Sequence, residues 1–137
     1  MKEIIVVVED KVGLLADISY LLAKAKINID AVSVEIIGTK GIIHLTIKDE
    51  KKAIEVLENN GYKVVTSDIL VIKLQDQPGE LSRLSKLLAA GGVNIENVHL
   101  LTKSKDMALF ALKVDKFKKA EKLLGEYLHV ADELVPQ

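Results

Sequence analysis

The residues best suited to chemistry are an aspartate, a glycine and an asparagine that occur twice with the same spacing. The two sets are Asp10, Gly13 and Asn28, and Asp76, Gly79 and Asn94. A carboxylate can pair with an ammonium group, glycine permits a turn with φ > 0, and an amide side chain both donates and accepts hydrogen bonds. Such a combination could bind the carboxylate and ammonium groups of a free amino acid.

The backbone after each glycine adds a second source of donors. Apolar residues recur at helical spacing after Gly13, namely Leu15, Ile18, Leu22 and Ala25. The first N–H groups of such a helix have no intrahelical acceptor and suit an anion, above all a carboxylate. Pro78 is expected at the first position of the second helix, where Val12 stands in the first copy. A purely structural interpretation stays open, because Asp-x-x-Gly is a common turn and asparagine commonly caps a helix C-terminus.

The two sets belong to a longer internal repeat. The offset is 66 residues, since 79 − 13 and 94 − 28 both equal 66, and ten of the 23 positions from Asp10 to Val32 are identical. The likeness includes the turn before the helix and the strand after it. This indicates duplication of a whole structural unit.

The elements of one unit follow from the periodicity. Residues 3–8 predict a strand, Gly38 to Gly41 a hairpin, and Asp49 the N-cap of a second helix that stops at Asn60. The order β-α-β-β-α-β predicts an α+β fold of two ferredoxin-like units, each a four-stranded antiparallel sheet with two helices on one face. We expect domains at 1–68 and 69–137, with the gapless alignment failing by one position in the hairpin of the second copy.

The first strand is apolar on both of its faces. Ile4 and Val6 can face the helices, whereas Ile5 and Val7 point to the opposite side, where Ile42 joins them. We therefore expect both faces of the first sheet to be buried, the second by the other unit or by another chain.

Composition excludes several classes of function. The net charge is −1, no cysteine is present, aromatic residues make up 4% of the chain, and no apolar run approaches the length of a membrane span. We expect a soluble, cytoplasmic protein that binds neither nucleic acid nor a membrane. The three histidines, His44, His99 and His129, are far apart and form no metal-ligand spacing, and neither turn carries the arginine of a phosphate loop. We expect no enzyme activity, no metal and no cofactor.

The repeated stretch resembles the ACT domain family, whose signature is a strand followed by D-x-P-G-x-L and, one helix later, N-I. Residues 76–81 and 94–95 match it fully, and residues 10–15 and 28–29 match except at Val12. The resemblance covers essentially the whole chain. It implies ligand contacts near the glycine turn of one unit and the second strand of a neighbouring unit, at Asp10, Gly13, Leu14, Asn28, Ile29, Asp76, Pro78, Gly79, Glu80, Leu81, Asn94 and Ile95.

The same resemblance implies a function. ACT units are small regulatory modules that often bind amino acids and control metabolic enzymes, so we expect a free amino acid as ligand, a homodimer and a regulated partner enzyme. The alternative is a scaffold that binds no ligand and only mediates oligomerisation or protein interaction. Glu80 bears on this choice, because it places a negative charge beside the amides that would receive a carboxylate.

Overall fold

Each half of the chain runs strand, helix, strand, strand, helix. A computed structural model describes residues 2–129 and 135–136. The first half comprises β1 (Lys2–Glu9), α1 (Leu14–Lys24), β2 (Ala31–Ile37), β3 (Lys40–Ile47), α2 (Glu50–Asn59) and β4 (Lys63–Val65). The second half comprises β5 (Leu70–Gln75), α3 (Glu80–Ala90), β6 (Ile95–Lys103), β7 (Met107–Val114), α4 (Phe117–Leu124) and a 3₁₀ turn (Gly125–Tyr127), followed by β8 (Val135–Pro136). None of the described helices is both long and apolar enough to cross a membrane.

The first sheet is antiparallel, with strand order β4-β1-β3-β2-β8. Its first four strands have the order expected of a ferredoxin-like unit. Strand β8 adds to the outer edge of β2 by pairing with Ala31 and Val32. The compact unit built on this sheet runs to Ser67 and includes β8, and the second unit begins at Asp68. Val135 and Pro136 thus pair with the first unit, although the sequence-based division assigned them to the second.

The second sheet has three strands in the order β5-β7-β6. Where the sequence predicts a fourth strand near His129, the residues described up to His129 form an isolated antiparallel bridge between Leu128 and Ile72 and a hydrogen bond of 2.8 Å from the N–H of His129 to the carbonyl of Val71. The 3₁₀ turn uses the three residues between α4 and Leu128.

The predicted shift in the hairpin is present. Helices α1 and α3 are offset by 66 residues (80 − 14), whereas β3 and β7 are offset by 67 (107 − 40). The register of β6 against β7 shifts between Ile95 and Asn97 and again between Leu100 and Thr102. Each shift is a bulge that leaves one residue of β6, Glu96 or Leu101, without a partner on β7.

Each pair of helices packs on one face of its sheet because apolar residues recur at helical spacing. Ile18 and Leu22 of α1 meet Ala53 and Leu57 of α2 in the first core. The corresponding residues of the second core are Leu84, Leu88, Ala120 and Leu124. On the opposite face of the first sheet Ile5, Val7 and Ile42 are also buried, as expected from the apolar pattern of β1.

Candidate functional site: two glycine turns and their pockets

The glycines occupy equivalent tight turns between the first strand and first helix of each unit. Residues 11–14 and 77–80 are each closed by a hydrogen bond of 3.3 Å from the last N–H to the first carbonyl. Gly13 has φ 84° and ψ 7°, and Gly79 has φ 89° and ψ −9°. These angles match the third residue of a type II turn, at about +80° and 0°, a conformation that favours glycine.

The proline of the second copy lies in this turn and not in the helix. Helix α3 begins at Glu80, so the expectation that Pro78 takes the first helical position is wrong. The left-handed dihedral angles of Gly79 interrupt helical geometry, and the helix can start only after it. Pro78 instead takes the second position of the turn, which its fixed φ suits. Val12 holds the same position, fully exposed, and the first turn keeps its geometry without proline.

Both turns leave helix amides available, as expected from the sequence. The N-cap residues are glycines, so neither helix receives a side-chain cap at its N-terminus. The first intrahelical bonds run from Asp17 N–H to the carbonyl of Gly13 and from Arg83 N–H to that of Gly79, both 2.9 Å long. Two backbone N–H groups at the start of each helix therefore have no acceptor within residues 2–129 and 135–136. They belong to Leu15 and Ala16 in α1 and to Leu81 and Ser82 in α3.

Asp10 and Asp76, the aspartates that occur in both copies of the repeat, have different environments. Both lie just beyond the first strand of their unit, where the N–H of Asp10 donates to the carbonyl of Thr39 and that of Asp76 to the carbonyl of Asp106, each at 3.0 Å. Asp76 forms an ion pair with Lys103, with 3.4 Å between Oδ2 and Nζ. The Asp10 carboxylate has no partner in the described part of the chain, so it is the freer of the two to receive an ammonium group.

A first turn pocket of about 350 Å³ lies beside the Gly13 turn. It is bounded by β1, the start of α1 and the segment between α2 and β4, and is lined by Val7, Val8, Glu9, Lys11, Leu14, Lys40, Gly61, Tyr62 and Lys63. Lys40 pairs with Glu9. Lys11 pairs with Asp17 at 3.0 Å, and this hydrogen-bonded carboxylate raises the pKa of Lys11 above its ordinary value. The pocket therefore presents more positive than negative charge.

A second turn pocket of about 280 Å³ occupies the equivalent place in the other unit, lined by Lys73, Leu74, Gln75, Glu80, Arg83, Glu126 and Tyr127. Four lining residues correspond at the repeat offset, since 73 − 7, 74 − 8, 75 − 9 and 80 − 14 all equal 66. Glu80 thus stands where the first pocket has Leu14. Its side chain is only 13% exposed and lies 3.6 Å from the Arg83 guanidinium, which offsets its negative charge.

The asparagines lie away from the glycine turns of their own units. Helix α1 lies between Gly13 and Asn28, and its 11 residues span about 16 Å. The Asn28 side chain donates to Asp30 at 3.2 Å and lines a third pocket, which does not include the glycine turn. Asn94 is held by Asp115, whose carboxylate accepts its N–H at 2.9 Å. The predicted set of amides, carboxylate and asparagine is therefore not assembled within one unit.

The remaining predicted residues divide into core and surface. Leu14 is 6% exposed and Ile29 packs against the first core, as Ile95 does against the second. Leu81 is 40% exposed beside the free amides of α3. Tyr62 and Tyr127 were missed, although a tyrosine follows the second helix of both units and lines both turn pockets. That recurrence was a usable signal, but the tyrosines lie about 50 residues from their glycines (62 − 13 = 49; 127 − 79 = 48).

The histidines do not form a site together. His44 is 1% exposed, and its Nδ1 lies 2.7 Å from a carboxylate oxygen of Glu3 in the neighbouring strand. His99 lies on β6, in the other sheet, and the N–H of His129 bonds to Val71. Among the described residues there is no cluster of three or more potential metal ligands.

Comparison with known proteins gives a family and several structural likenesses. A family model described as an ACT domain pair matches residues 1–134. A protein from Bacteroides thetaiotaomicron is 27% identical over 93% of this chain and 90% of its own, with a TM-score of 0.49. The regulatory subunit of aspartate kinase from Thermus thermophilus is 19% identical over 91% and 90%, with a TM-score of 0.43. The acetolactate synthase small subunit from Thermotoga maritima is 14% identical over 98% and 92%, with a TM-score of 0.41.

These TM-scores are too low for the likenesses to carry a functional argument. None of the curated protein sequences compared with the chain matches it. The family model, by contrast, spans both units, both glycine turns and both pockets. The chain belongs to the ACT domain family and is a pair of ACT domains.

Proposed function

We propose that the protein binds a free amino acid at its glycine turns and passes this signal to a partner enzyme. The observation that carries the proposal is the pair of turns, each with uncapped helix amides next to a pocket. The amides suit the ligand's carboxylate, because a helix N-terminus combines free N–H donors with the positive end of the helix dipole. An aspartate at the end of the preceding strand suits the ammonium group.

The first turn supports both halves of this recognition. Asp10 has no competing partner among the described residues, whereas Asp76 is held by Lys103. Lys11 and Lys40 surround the first pocket, with their charges partly offset by Asp17 and Glu9. We therefore assign the stronger amino acid site to the first unit, although only the second carries the complete D-x-P-G-x-L signature.

The proposal that the protein forms a homodimer rests on exposed apolar side chains of β2 and β6. Val34 and Ile36 of β2 are 45% and 49% exposed, and Val98 and Leu100 of β6 are 40% and 51% exposed. Beyond Val32, β2 has no further pairing with β8, and β6 is an outer strand of its sheet. We propose that a second copy of the chain covers such surface in a homodimer. In that arrangement ligand binding favours one packing of subunits over another, because a ligand shifts an equilibrium only through differential affinity. The protein would act by binding and not by catalysis.

A thermal-shift screen of the twenty amino acids against the purified protein tests this function. A ligand at 100 times its Kd stabilises the folded state by about 2.7 kcal/mol, which gives a clear rise in Tm. We expect at least one amino acid to raise Tm, and we expect Asp10→Asn to reduce the shift. Glu58→Gln, a matched change on the exposed side of α2, should leave it intact. If no amino acid raises Tm, the scaffold function replaces the sensor.

A further inference from the structure

The third pocket, called here the loop pocket, lies at the other end of α1 from the glycine turn. It has a volume of about 240 Å³. Three elements contribute to it: the turn after α1, the link between β3 and α2, and the first turn of α2. Its polar lining residues are Lys26, Asn28, Asp30, Lys48, Asp49 and Lys52.

At the equivalent place of the second unit, the corresponding groups are bonded to one another. The N–H of Asn94 donates to the Asp115 carboxylate at 2.9 Å, and the N–H of Asp115 returns a bond to the carbonyl of Asn94 at 3.1 Å. The ammonium group of Lys116 donates to the carbonyl of Gly92 at 2.7 Å. A built-in carboxylate thus satisfies the asparagine amide in this copy.

The first unit lacks that carboxylate. In this part of the repeat the offset is 67, so the counterpart of Asp115 is Lys48 (115 − 67 = 48). The N–H of Asn28 has no acceptor among the residues described in the structure. A cation has replaced the anion that satisfies the same amide in the second unit.

Two further lysines strengthen the positive charge of the loop pocket. Lys26 has φ 61° at the position where the second copy has Gly92 with φ 76°, so a lysine is held in a conformation that normally favours glycine. None of Lys26, Lys48 and Lys52 forms an ion pair within the described chain.

The two carboxylates of the loop pocket already have hydrogen bonds. Asp30 accepts from the Asn28 side chain and Asp49 from the N–H of Lys52, both at 3.2 Å. The second oxygen of Asp30, Oδ2, is buried and has no hydrogen-bond partner among the described residues. Three lysines and two aspartates therefore line the pocket, which leaves one positive charge in excess. The surplus positive charge lies beside an amide that lacks an acceptor.

We infer that the loop pocket binds the carboxylate of a small organic acid, which takes the place that the Asp115 side chain occupies in the second unit. The ligand's carboxylate accepts from the N–H of Asn28 and is surrounded by the lysine ammonium groups. This site is separate from the glycine turn, at the opposite end of α1, and does not depend on the function proposed for that turn. Only the first unit offers it, because the second carries its own carboxylate.

Succinate is a suitable probe, because it is a small dicarboxylate without an ammonium group. Binding is followed by ¹H–¹⁵N NMR of the full chain at constant ionic strength, with the backbone amide of Asn28 as reporter. Lys48→Asp restores the residue type of the second unit and gives the Asn28 amide an internal acceptor. Lys51→Ala removes a lysine of α2 that does not line the pocket and serves as the matched control.

We expect the Asn28 amide resonance to move saturably with succinate in the wild type and in Lys51→Ala. In Lys48→Asp we expect at least a tenfold weaker affinity, together with slower hydrogen exchange of this amide in the absence of succinate. The dispersed spectrum of a folded protein should be retained, since the second unit folds with aspartate at this place. No saturable shift in the wild type overturns the inference, as does equal affinity in Lys48→Asp or equal weakening in Lys51→Ala.

Discussion

Single side chains set the chemical difference between the two glycine turns. Asp10 and Asp76 were predictable from the sequence as recurring carboxylates, and so was the proximity of Glu80 to the amides. What could not be predicted is which charges are offset, because those partners come from side-chain positions in three dimensions. Asp76 lies near Lys103, on the far strand of its sheet, and Glu80 lies near Arg83.

The pair between Lys11 and Asp17 gives a pH-dependent prediction at this scale. The Asp17 hydrogen bond raises the pKa of Lys11 in the folded state, so its contribution to stability is fully present below the unfolded-state value of 10.5. The contribution is lost as the pH rises through the folded-state pKa. We expect Asp17→Asn to lower the pKa of Lys11 measured by ¹⁵N NMR of its ammonium group. Identical titration curves in the two proteins would contradict the pair, and the exposed Lys51 serves as an internal reference.

Most helices and strands that hold these residues could be predicted from the spacing of apolar residues and from the residue types of the turns. The helices, the first strands and the one-residue shift in the hairpin were all predictable, because each depends on local spacing. The bridge between Ile72 and Leu128 and the pairing of β8 with β2 were not predictable, since the paired residues are far apart in sequence. Pairing at long range depends on the folded arrangement and leaves no short signal.

The shared turn geometry predicts that proline can be introduced into the first copy. Val12 holds the position of a type II turn that Pro78 holds in the second, and its side chain is fully exposed. We expect Val12→Pro to raise the free energy of unfolding by about 0.4–1 kcal/mol, because proline reduces the entropy of the unfolded chain where its φ is already suitable. Urea denaturation measures the change. Pro78→Val should show the opposite sign, and a destabilised Val12→Pro protein would mean that the turns differ.

Helix packing in the second unit depends on a close approach at Gly91. A β-carbon there would lie 2.4 Å from Cδ1 of Leu123 in α4, whereas the first copy has Ala25 and the smaller Val56 at these places (91 − 66 = 25; 123 − 67 = 56). We expect Gly91→Ala to cost about 0.5–1.5 kcal/mol of stability, because the Leu123 side chain must leave its rotamer to make room for the added methyl group. Adding Leu123→Val should recover most of this loss in a double-mutant cycle measured by urea denaturation. Additive losses would show that the two residues do not interact.

Over the whole chain, duplication has produced two similar turn pockets with different charge. The first is lined by Lys11, Lys40 and Lys63 with Glu9, and the second has equal numbers of cations and anions. A repeat that keeps the backbone turn while exchanging the lining residues can alter ligand preference without altering the fold. This predicts that the two units differ in affinity for the same amino acid.

Isothermal titration calorimetry of the wild-type protein with each of the twenty amino acids tests the central claim most directly. The account predicts saturable binding heat for at least one of them and a weaker affinity in Asp10→Asn, in which the first turn loses its carboxylate. Gly79→Ala, which strains the second turn at φ 89° without filling any nearby space, should affect that binding less. The absence of saturable heat with every amino acid at millimolar concentration would contradict the claim that these turns are amino acid sites.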